Sequence, residues 1–278
     1  MIPTGRQFYK MTGSGNDFVF VDVRESAAGE LERPEIIREV CARGSGVGAD
    51  GIVFLNRNDV GLSIRYLNSD GSLAALCGNA TLCAARLGAE LGIVSRAGEF
   101  QIETDSGPVS ARFRHGLPEI DLPPVTELQE NFAADPGPGE SRIGFASVGV
   151  PHLVVECADV QAVAVVQRGR RLRHDPRLSQ GANVNFVSRL EDHWQIRTYE
   201  RGVEAETLAC GTGAVATGLM LAAWGEASNE VQLETRSGRR LLVRHRERID
   251  GGGFYASLSG EARIVFVGGL GELCQSTR

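Results

Sequence analysis

Residues 77–91 read CGNATLCAARLGAEL, and residues 210–224 read CGTGAVATGLMLAAW. Both stretches open on Cys-Gly, are rich in alanine and leucine, and contain no proline, so they are predicted to form the two longest helices of the chain. Apolar residues cover most of the surface of each helix, which is typical of a helix buried inside a domain. Two buried helices with the same opening indicate a chain built from two similar halves.

Four further pairs of segments repeat in the same order, at offsets between 131 and 134 residues. They are GNDFVFV at 15–21 with GVPHLVV at 149–155, GAD at 48–50 with GAN at 181–183, IR at 64–65 with IR at 196–197, and IETDSG at 102–107 with LETRSG at 233–238. One such match is weak, but five in one order are hard to produce by chance. The sequence therefore predicts an internal duplication.

The secondary structure predicted from local patterns also repeats between the halves. The first half is expected to hold a helix over 34–42, strands over 18–23, 52–55 and 63–67, and a hairpin over 99–114. The second half is expected to hold a helix over 159–167, strands over 153–157, 184–187 and 195–199, and a hairpin over 230–246. Since strands outnumber helices and each long helix follows strands that can wrap it, the predicted fold class is α+β with two similar domains.

The boundary between the halves is predicted in a proline- and glycine-rich stretch over 117–139. We assign residues 1–118 to the first domain and residues 119–263 to the second. A strand-like segment over 262–267 follows the second half. We expect it to return to the sheet of the first domain, so residues 264–278 are assigned there.

The composition argues against nucleic-acid-binding and membrane-spanning classes of protein. Hydrophobic residues make up 42% and charged residues 23% of the chain, as in soluble globular proteins. The net charge is −6 and no basic face stands out, which argues against a nucleic-acid partner. No stretch approaches 18 apolar residues and no export signal precedes the first strand, so we expect a cytoplasmic protein without a membrane span.

The cysteine and lysine content bears on cofactors. The six cysteines form no CxxC pair and show no metal-ligand spacing, so no metal site is expected. Lys10 is the single lysine of the chain. Pyridoxal phosphate is bound by enzymes as a lysine Schiff base, and no phosphate cradle is recognisable beside Lys10. The sequence therefore predicts chemistry without a cofactor.

The two Cys-Gly openings indicate proton exchange at a carbon atom. Cys77 and Cys210 are predicted at the starts of helices, where unpaired backbone amides and the positive end of the macrodipole favour anions, including a thiolate. Glycine at the next position lets a ligand approach those amides closely. If both helix ends converge on one cleft, amides from both halves can hold one carboxylate, and a thiolate and a thiol can act on opposite faces of the adjacent carbon.

The simpler interpretation is that Cys77 and Cys210 are buried structural cysteines, the usual fate of an isolated cysteine. Their equivalent positions in the two halves argue against it. The other four cysteines have no counterpart in the opposite half and are assigned structural roles: Cys41, Cys83, Cys157 and Cys274.

Seven blocks in this chain resemble motifs of the diaminopimelate epimerase family and occur in the family's order. They are SGNDF at 14–18, GVGAD at 46–50, NSDG at 68–71, CGN at 77–79, GVPH at 149–152, NVNF at 183–186 and YERGVEAETLACGTG at 199–213. They span nearly the whole chain, and the last block alone is highly specific. The resemblance implies two pseudo-symmetric domains, each a β-barrel-like sheet around a central helix, usually in a homodimer.

The resemblance also implies a reaction and its residues: reversible conversion of LL- to meso-diaminopimelate, in lysine and peptidoglycan-precursor synthesis, without pyridoxal or metal. Cys77 and Cys210 match the catalytic cysteines. Residues that match substrate-binding positions are Asn16, Asn68, Gly78, Asn79, Asn183, Glu200, Arg201, Gly211 and Thr212. His152 and Glu200 match the pair that tunes the proton affinities of the cysteines.

The chain departs from the family pattern at three places. Many members have glutamine where Gly51 stands and asparagine where Val150 stands, and Ala80-Thr81-Leu82 replaces a Gly-Ala-Arg sequence. Three alternatives therefore stay open: a two-cysteine racemase of histidine, proline or a related amino acid, a non-epimerising relative such as the phenazine-pathway isomerase, and a non-catalytic amino-acid-binding protein. Both cysteines being present argues against the second, and Arg201, Asn68 and Asn183 favour a substrate with a second charged end.

Overall fold

The structure is a computed structural model that describes residues 5–73 and 77–271. The chain divides into two compact units. The first unit spans Met1–Ile120 together with Glu261–Arg278, and the second spans Asp121–Gly260.

The first unit contains eight strands and two α-helices among its described residues. The strands are β1 (Gln7–Gly13), β2 (Asn16–Asp22), β3 (Gly51–Asn58), β4 (Gly61–Asn68), β5 (Glu99–Thr104), β6 (Gly107–Arg114), β7 (Leu117–Asp121) and, at the end of the chain, β17 (Ala262–Gly269). The helices are α1 (Pro34–Cys41) and α2 (Gly78–Glu90), and a short 3-10 helix covers Gly29–Glu32.

The second unit contains nine strands and two α-helices. The strands are β8 (Leu128–Gln129), β9 (Glu140–Val148), β10 (Val150–Cys157), β11 (Asn183–Arg189), β12 (Trp194–Glu200), β13 (Ala205–Thr207), β14 (Glu230–Glu234), β15 (Arg240–Glu247) and β16 (Phe254–Gly260). The helices are α3 (Val165–Arg173) and α4 (Gly211–Ala223), and a 3-10 turn covers Val160–Ala162.

The sheets of the two units have the same topology. In the first unit the strands pair in the order β17-β1-β2-β3-β4-β5-β6-β7, and only β2 with β3 and β4 with β5 run parallel. In the second unit the order is β8-β9-β10-β11-β12-β14-β15-β16, and only β10 with β11 and β12 with β14 run parallel. The predicted α+β fold with a duplicated domain is therefore confirmed.

The sheet of each unit packs around one central helix. Helix α4 contacts β9, β10, β11, β14, β15 and β16, and α2 contacts β1, β2, β4 and β17. Nearly every side chain of α4 is buried, which agrees with its apolar sequence. Both helices follow the predicted stretches, beginning one residue after the cysteine and ending one residue earlier than expected.

A second helix covers the outer face of each sheet. Helix α1 begins at Pro34, where the missing amide of proline costs nothing, and buries Ile36, Ile37 and Val40 against the sheet. Helix α3 buries Val165 and Leu172 in the same way, and three arginines occupy its last turn, where the macrodipole favours cations.

One expectation from the sequence was wrong. The helix predicted over 159–167 is the 3-10 turn Val160–Ala162, which the Asp159 carboxylate caps by accepting a hydrogen bond from the Gln161 amide at 2.8 Å, followed by α3 from Val165. The stretch over 117–139, in which the boundary between the halves was predicted, contains the division between the two units and also holds β7 and β8. Fully buried Glu119 interrupts the apolar pattern of β7, and its carboxylate binds Arg112 at 2.6 Å, which removes the cost of an unpaired charge.

The end of the described chain lies in the first unit, because β17 pairs antiparallel with β1 from Ala262 opposite Gly13 to Gly269 opposite Gln7. Residues 272–278 of the expected tail lie outside the described residues, as does Cys274.

Glycine permits close packing of the central helices. A Cβ atom at Gly218 would lie 2.8 Å from Val243 Cγ1 and 3.0 Å from Val243 Cβ, whereas a Cβ at Gly88 would lie 2.6 Å from Leu62 Cδ1, the mobile end of a longer side chain. We expect Gly218→Ala to lower the free energy of unfolding by about 1–2 kcal/mol, since the stiff valine cannot move aside and overpacking exceeds the gain in helix propensity.

Gly88→Ala serves as the matched comparison and should lower the free energy of unfolding by less than Gly218→Ala, because Leu62 can change rotamer. Urea unfolding of both variants measures the difference. A Gly218→Ala protein more stable than the wild type would contradict this packing of α4 on β15.

Candidate active site

Each candidate cysteine is the residue immediately before a central helix. The backbone of Cys77 and of Cys210 is extended, and the carbonyl of each accepts the first helical hydrogen bond, from Thr81 at 3.0 Å and from Ala214 at 2.9 Å. Both cysteines are partly exposed. The next three amides of each helix have no acceptor within the helix, so both helices present amides beside a sulfur atom.

Three other cysteines have different surroundings. Cys41, Cys83 and Cys157 are buried. Burial raises the pKa of the Cys41 thiol to about 11 and that of Cys157 to about 12, and it raises the pKa of fully buried Cys83 well above its ordinary value. These three thiols therefore stay protonated and have the surroundings of structural cysteines.

The first backbone amides of each helix follow directly after the cysteine, and the first helical residue is a buried glycine. Gly78 and Gly211 carry no side chain that could cover them, and an anion at this end of the helix is favoured by the macrodipole. In the second unit Thr212 places its hydroxyl 3.6 Å from Cys210 Sγ. In the first unit the corresponding residue, Asn79, is buried.

A chain of hydrogen bonds fixes the orientation of Asn79. Arg43 binds Asp50 at 2.6 Å, Asn16 donates from Nδ2 to Asp50 Oδ2 at 2.9 Å, and Asn79 donates from Nδ2 to Asn16 Oδ1 at 2.7 Å. An ionised carboxylate can only accept, so Asn16 must turn its amide nitrogen to Asp50 and its oxygen to Asn79. Asn79 then must use its nitrogen on Asn16.

This orientation leaves the side-chain oxygen of Asn79 as a hydrogen-bond acceptor open to a ligand. Asn79 Oδ1 is buried and has no hydrogen-bond partner within residues 5–73 and 77–271. A buried amide oxygen without a donor carries a free-energy cost that a bound ammonium or amide group would remove. The side chain of Asn79 therefore offers an acceptor, while its backbone amide belongs to the anion-binding helix start.

Lys10 lies in the same polar cluster. Its ammonium is buried, binds Asp17 Oδ2 at 2.7 Å, and donates to the carbonyl of Gly48. Arg43 binds the same carboxylate at 2.7 Å. Burial opposes ionisation of Asp17, but hydrogen bonds from Arg43 and Lys10 outweigh it, and the pKa of Asp17 is lowered.

Asn68 and the Gly51 departure lie opposite each other on paired strands β4 and β3. The Asn68 amide donates to Ser72 Oγ at 3.0 Å within the turn that follows β4, so this side chain has a structural partner as well as a predicted binding role. The Tyr66 ring fills the space beside Gly51, where a Cβ would meet the ring and lie 3.0 Å from the tyrosine hydroxyl. Tyr66 and the backbone carbonyl of Leu67 thus leave no room for a side chain at position 51.

In the second unit, Asn183 and Arg201 are joined directly. Asn183 is buried at the start of β11, and its Oδ1 accepts a hydrogen bond from the Arg201 amide at 2.8 Å. Glu200 ends β12 immediately before, and its carbonyl accepts the Glu204 amide at 2.8 Å in the following turn. The Arg201 guanidinium donates to the Gln180 carbonyl over a long distance of 3.3 Å.

His152 is fully buried on β10, where it lies opposite Asn183 of β11. Burial of the ring, together with the charge of Arg201, lowers the pKa of His152 to about 3. Its Nδ1 lies 3.2 Å from Nδ2 of Asn185, whose Oδ1 accepts a hydrogen bond from the Thr198 hydroxyl at 2.9 Å. At neutral pH the imidazole is therefore uncharged.

The structure thus groups the predicted site residues within each unit. The first unit joins Asn16 to Asn79 at the start of α2, with Cys77 and Gly78 beside them, and keeps Asn68 at a turn. The second unit groups the residues at the ends of β10, β11 and β12 and at the start of α4: His152, Asn183, Glu200, Arg201, Cys210, Gly211 and Thr212.

Several supporting residues were not predicted from the sequence. Asp50 and Asn185 both occur in the blocks that carry the family resemblance, yet their roles depend on partners 33 to 34 residues away. Thr198 occupies an ordinary alternating position of β12, and nothing in the sequence indicated its role.

Among the described residues, no three His, Cys, Asp or Glu side chains are grouped so as to hold a metal ion. No described helix is both long and apolar enough to cross a membrane.

Solved structures share this fold across nearly the whole chain. A phenazine biosynthesis protein of the PhzF family from Bacillus anthracis matches with a TM-score of 0.78 at 15% identity, covering 96% of this chain and 99% of the other. A hydroxyproline epimerase from Agrobacterium vitis matches with a TM-score of 0.69 at 17% identity, covering 96% and 93%. The fold therefore places the chain in this class of duplicated α+β proteins.

Sequence relatives define the family. The diaminopimelate epimerase of Gemmatimonas aurantiaca is 44% identical over 277 residues, covering 96% of this chain and 99% of the relative. The diaminopimelate epimerase of Aquifex aeolicus is 39% identical over 282 residues, covering 96% of this chain and 98% of the relative. The family model of diaminopimelate epimerase matches residues 8–120 and 144–264. The chain belongs to the diaminopimelate epimerase family.

The Lys10–Asp17 pair predicts a pH-dependent contribution to stability. A carboxyl group whose pKa is lowered by folding stabilises the protein above its unfolded pKa of about 3.9, and this stabilisation is lost as the pH falls through the folded value. At neutral pH we expect Asp17→Asn to lower the free energy of unfolding by about 2 kcal/mol, because it also leaves buried Lys10 without its counter-ion.

The difference between wild type and Asp17→Asn should shrink when urea unfolding is repeated at the lowest pH at which both proteins fold. Asp105→Asn, in the exposed turn between β5 and β6, is the control and should show little effect at either pH. A difference that stays constant with pH would contradict the ion pair.

Proposed function

We propose that this protein is a cofactor-independent isomerase that interconverts LL- and meso-diaminopimelate, with Cys77 and Cys210 acting on opposite faces of one α-carbon. The observation that carries the proposal is the repetition of the half-site. Each unit places a partly exposed cysteine and a glycine at the start of its central helix. Membership of the diaminopimelate epimerase family supports the substrate.

The helix starts supply the stabilisation that the reaction requires. An α-hydrogen beside a carboxylate is a very weak acid, so its removal requires that charge developing on the carboxylate be stabilised. Gly78, Asn79, Gly211 and Thr212 are proposed to hold this carboxylate through their backbone amides. We propose that the two units are the two domains of the enzyme and that each contributes the start of its central helix to the reaction.

The cysteines supply the proton transfer. A thiolate on one face removes the α-proton, and the thiol on the other face delivers a proton to the carbon, so the configuration inverts and the roles of the two sulfurs are exchanged. His152 and Glu200 are proposed to tune the proton affinities of these sulfurs. Such a two-base mechanism runs in both directions without an imine cofactor.

The remaining polar residues are proposed to recognise the other groups of diaminopimelate, which carries an ammonium and a carboxylate at each end. The loosely held guanidinium of Arg201 suits the distal carboxylate. Asn68 and Asn183 can donate and accept, and Asn16 orients Asn79, whose open Oδ1 suits an ammonium.

Lysine chemistry is not proposed for this site. The ammonium of Lys10 is buried against Asp17 and bonded to the Gly48 carbonyl, so a Schiff base at Lys10 would require both contacts to break. The proposed reaction proceeds on protein groups alone.

We also propose that the enzyme works in the cytoplasm as a homodimer, in lysine and peptidoglycan-precursor synthesis. Strand β17 supports the dimer, because Val265, Phe266 and Val267 are consecutive apolar residues that are each about half exposed. Apolar side chains exposed along one strand are typical of a surface that a second copy covers.

Single alanine variants test the two-base mechanism. Cys77→Ala and Cys210→Ala should each reduce epimerisation of LL-diaminopimelate by at least about 100-fold, since each removes the only proton carrier on its face. Cys41→Ala, which changes a buried cysteine without a counterpart in the other half, is the control and should retain most activity.

The same assay, run on wild type with histidine and proline, tests the substrate. We expect diaminopimelate to react fastest. Near-wild-type activity in either cysteine variant would contradict the two-base mechanism. Faster racemisation of histidine or proline than of diaminopimelate would contradict the substrate assignment but not the mechanism.

A further inference from the structure

A buried amide holds the ring of His152. Asn185 and His152 are both fully inaccessible to solvent. Asn185 Nδ2 lies 3.0 Å from the carbonyl oxygen of Leu153 and 3.2 Å from His152 Nδ1, and its Oδ1 accepts a hydrogen bond from Thr198 Oγ1 at 2.9 Å. All four groups lie on the neighbouring strands β10, β11 and β12.

The chemistry of these partners fixes the direction of each hydrogen bond. A backbone carbonyl can only accept, so Asn185 must turn its NH₂ group toward Leu153. The second hydrogen of that NH₂ group is directed at His152 Nδ1, which must then offer a lone pair. A hydrogen on Nδ1 would face the hydrogen of Asn185. The proton of the neutral imidazole is therefore on Nε2.

The Nε2 atom of His152 is buried, and it has no hydrogen-bond partner within the part of the chain that the structure describes. A buried N–H without an acceptor is costly in free energy, and native proteins rarely leave one without a reason. An acceptor atom supplied by a bound ligand or by a thiolate would remove that cost.

The same network supports the helix that begins after Cys210. Gly213 lies in the first turn of α4, and a Cβ atom there would collide with Asn185 Oδ1 and lie 3.2 Å from Cys210 Sγ. The absence of a side chain at Gly213 thus lets the start of α4 rest directly on the Asn185 amide. The ring of His152 and the sulfur-bearing end of the helix share this one support.

We propose that Asn185 is a positioning residue that holds His152 as the Nε2–H tautomer, so that His152 acts in the site as a hydrogen-bond donor to an anionic acceptor and not as a base. The proposal rests on the proposed epimerase function for the identity of that acceptor, a substrate carboxylate or a cysteine thiolate. The hydrogen-bond directions and the tautomer do not depend on that function.

A donor and a base have opposite effects on the chemistry. A base at Nε2 would take a proton from a thiol, whereas an N–H donor stabilises the anion that is already present and keeps its own proton. Burial and the charge of Arg201 hold the pKa of His152 low, so the ring stays neutral and does not become a general acid near neutral pH.

Nitrogen NMR spectroscopy of ring-labelled histidine tests the tautomer directly. The His152 signals are identified by their loss in His152→Gln. In the wild type near neutral pH we expect an unprotonated Nδ1 and a protonated Nε2. In Asn185→Asp, where a carboxylate replaces the NH₂ group, we expect Nδ1 to become protonated. Thr198→Val, which keeps the Asn185 amide, is the control and should leave the tautomer unchanged.

Activity then separates a donor from a base. The side-chain NH₂ of glutamine can replace an Nε2–H donor but cannot act as a base. His152→Gln should therefore keep kcat at least about tenfold above that of His152→Leu. Equal loss in both variants would overturn the donor role, and a wild-type ring protonated at Nδ1 would overturn the proposal whether or not Asn185→Asp folds.

Failure of the proposed epimerase function would be distinguishable from failure of the tautomer proposal. It would appear as absence of activity toward diaminopimelate in the wild type, while the NMR spectrum of the substrate-free protein still decides the tautomer.

Discussion

The first backbone amides of α2 and α4, which have no acceptor within their own helix, are the constraint on which each unit depends. Amides hold an anion strongly only where water is largely excluded, so the helix must be surrounded by the sheet while its first turn stays open. The buried, proline-free helices, the strands that wrap them and the glycines after the two cysteines all meet this requirement. That the chain meets it twice, with one strand topology, is the physical basis for proposing two proton carriers in one protein.

The two half-sites share a backbone but differ in chemistry. In the first unit, the ionised carboxylate of Asp50 sets the direction of the hydrogen bonds, and the chain through Asn16 ends in an open acceptor at Asn79. In the second unit, a backbone carbonyl sets the direction through Asn185, and the network ends in a donor at His152. An amino acid offers both an ammonium, which needs acceptors, and a carboxylate, which needs donors. The two halves therefore share one fold but differ in the hydrogen-bonding groups that they offer to a ligand.

The sequence predicted features that depend on local pattern and repetition: the duplicated fold, the central helices and most strands. It did not predict β7, because a buried glutamate there is compensated by an arginine on the neighbouring strand, and it placed a helix at Asp159 where the aspartate caps a single turn. At the site, it singled out the cysteines and the polar motifs. It missed the positioning roles of Asp50 and Asn185, because each hydrogen-bond direction depends on groups that meet only in the folded sheet.

The most direct test of the central claim follows solvent hydrogen into the product. LL-diaminopimelate is incubated with the enzyme in D₂O, and the α-deuterium content of both epimers is measured at early conversion. If a cysteine on each face carries its own proton, the meso product contains deuterium at the inverted carbon while recovered LL-substrate retains its hydrogen. Deuterium entering recovered substrate as fast as product forms, or product that keeps the original hydrogen, would contradict a two-cysteine exchange.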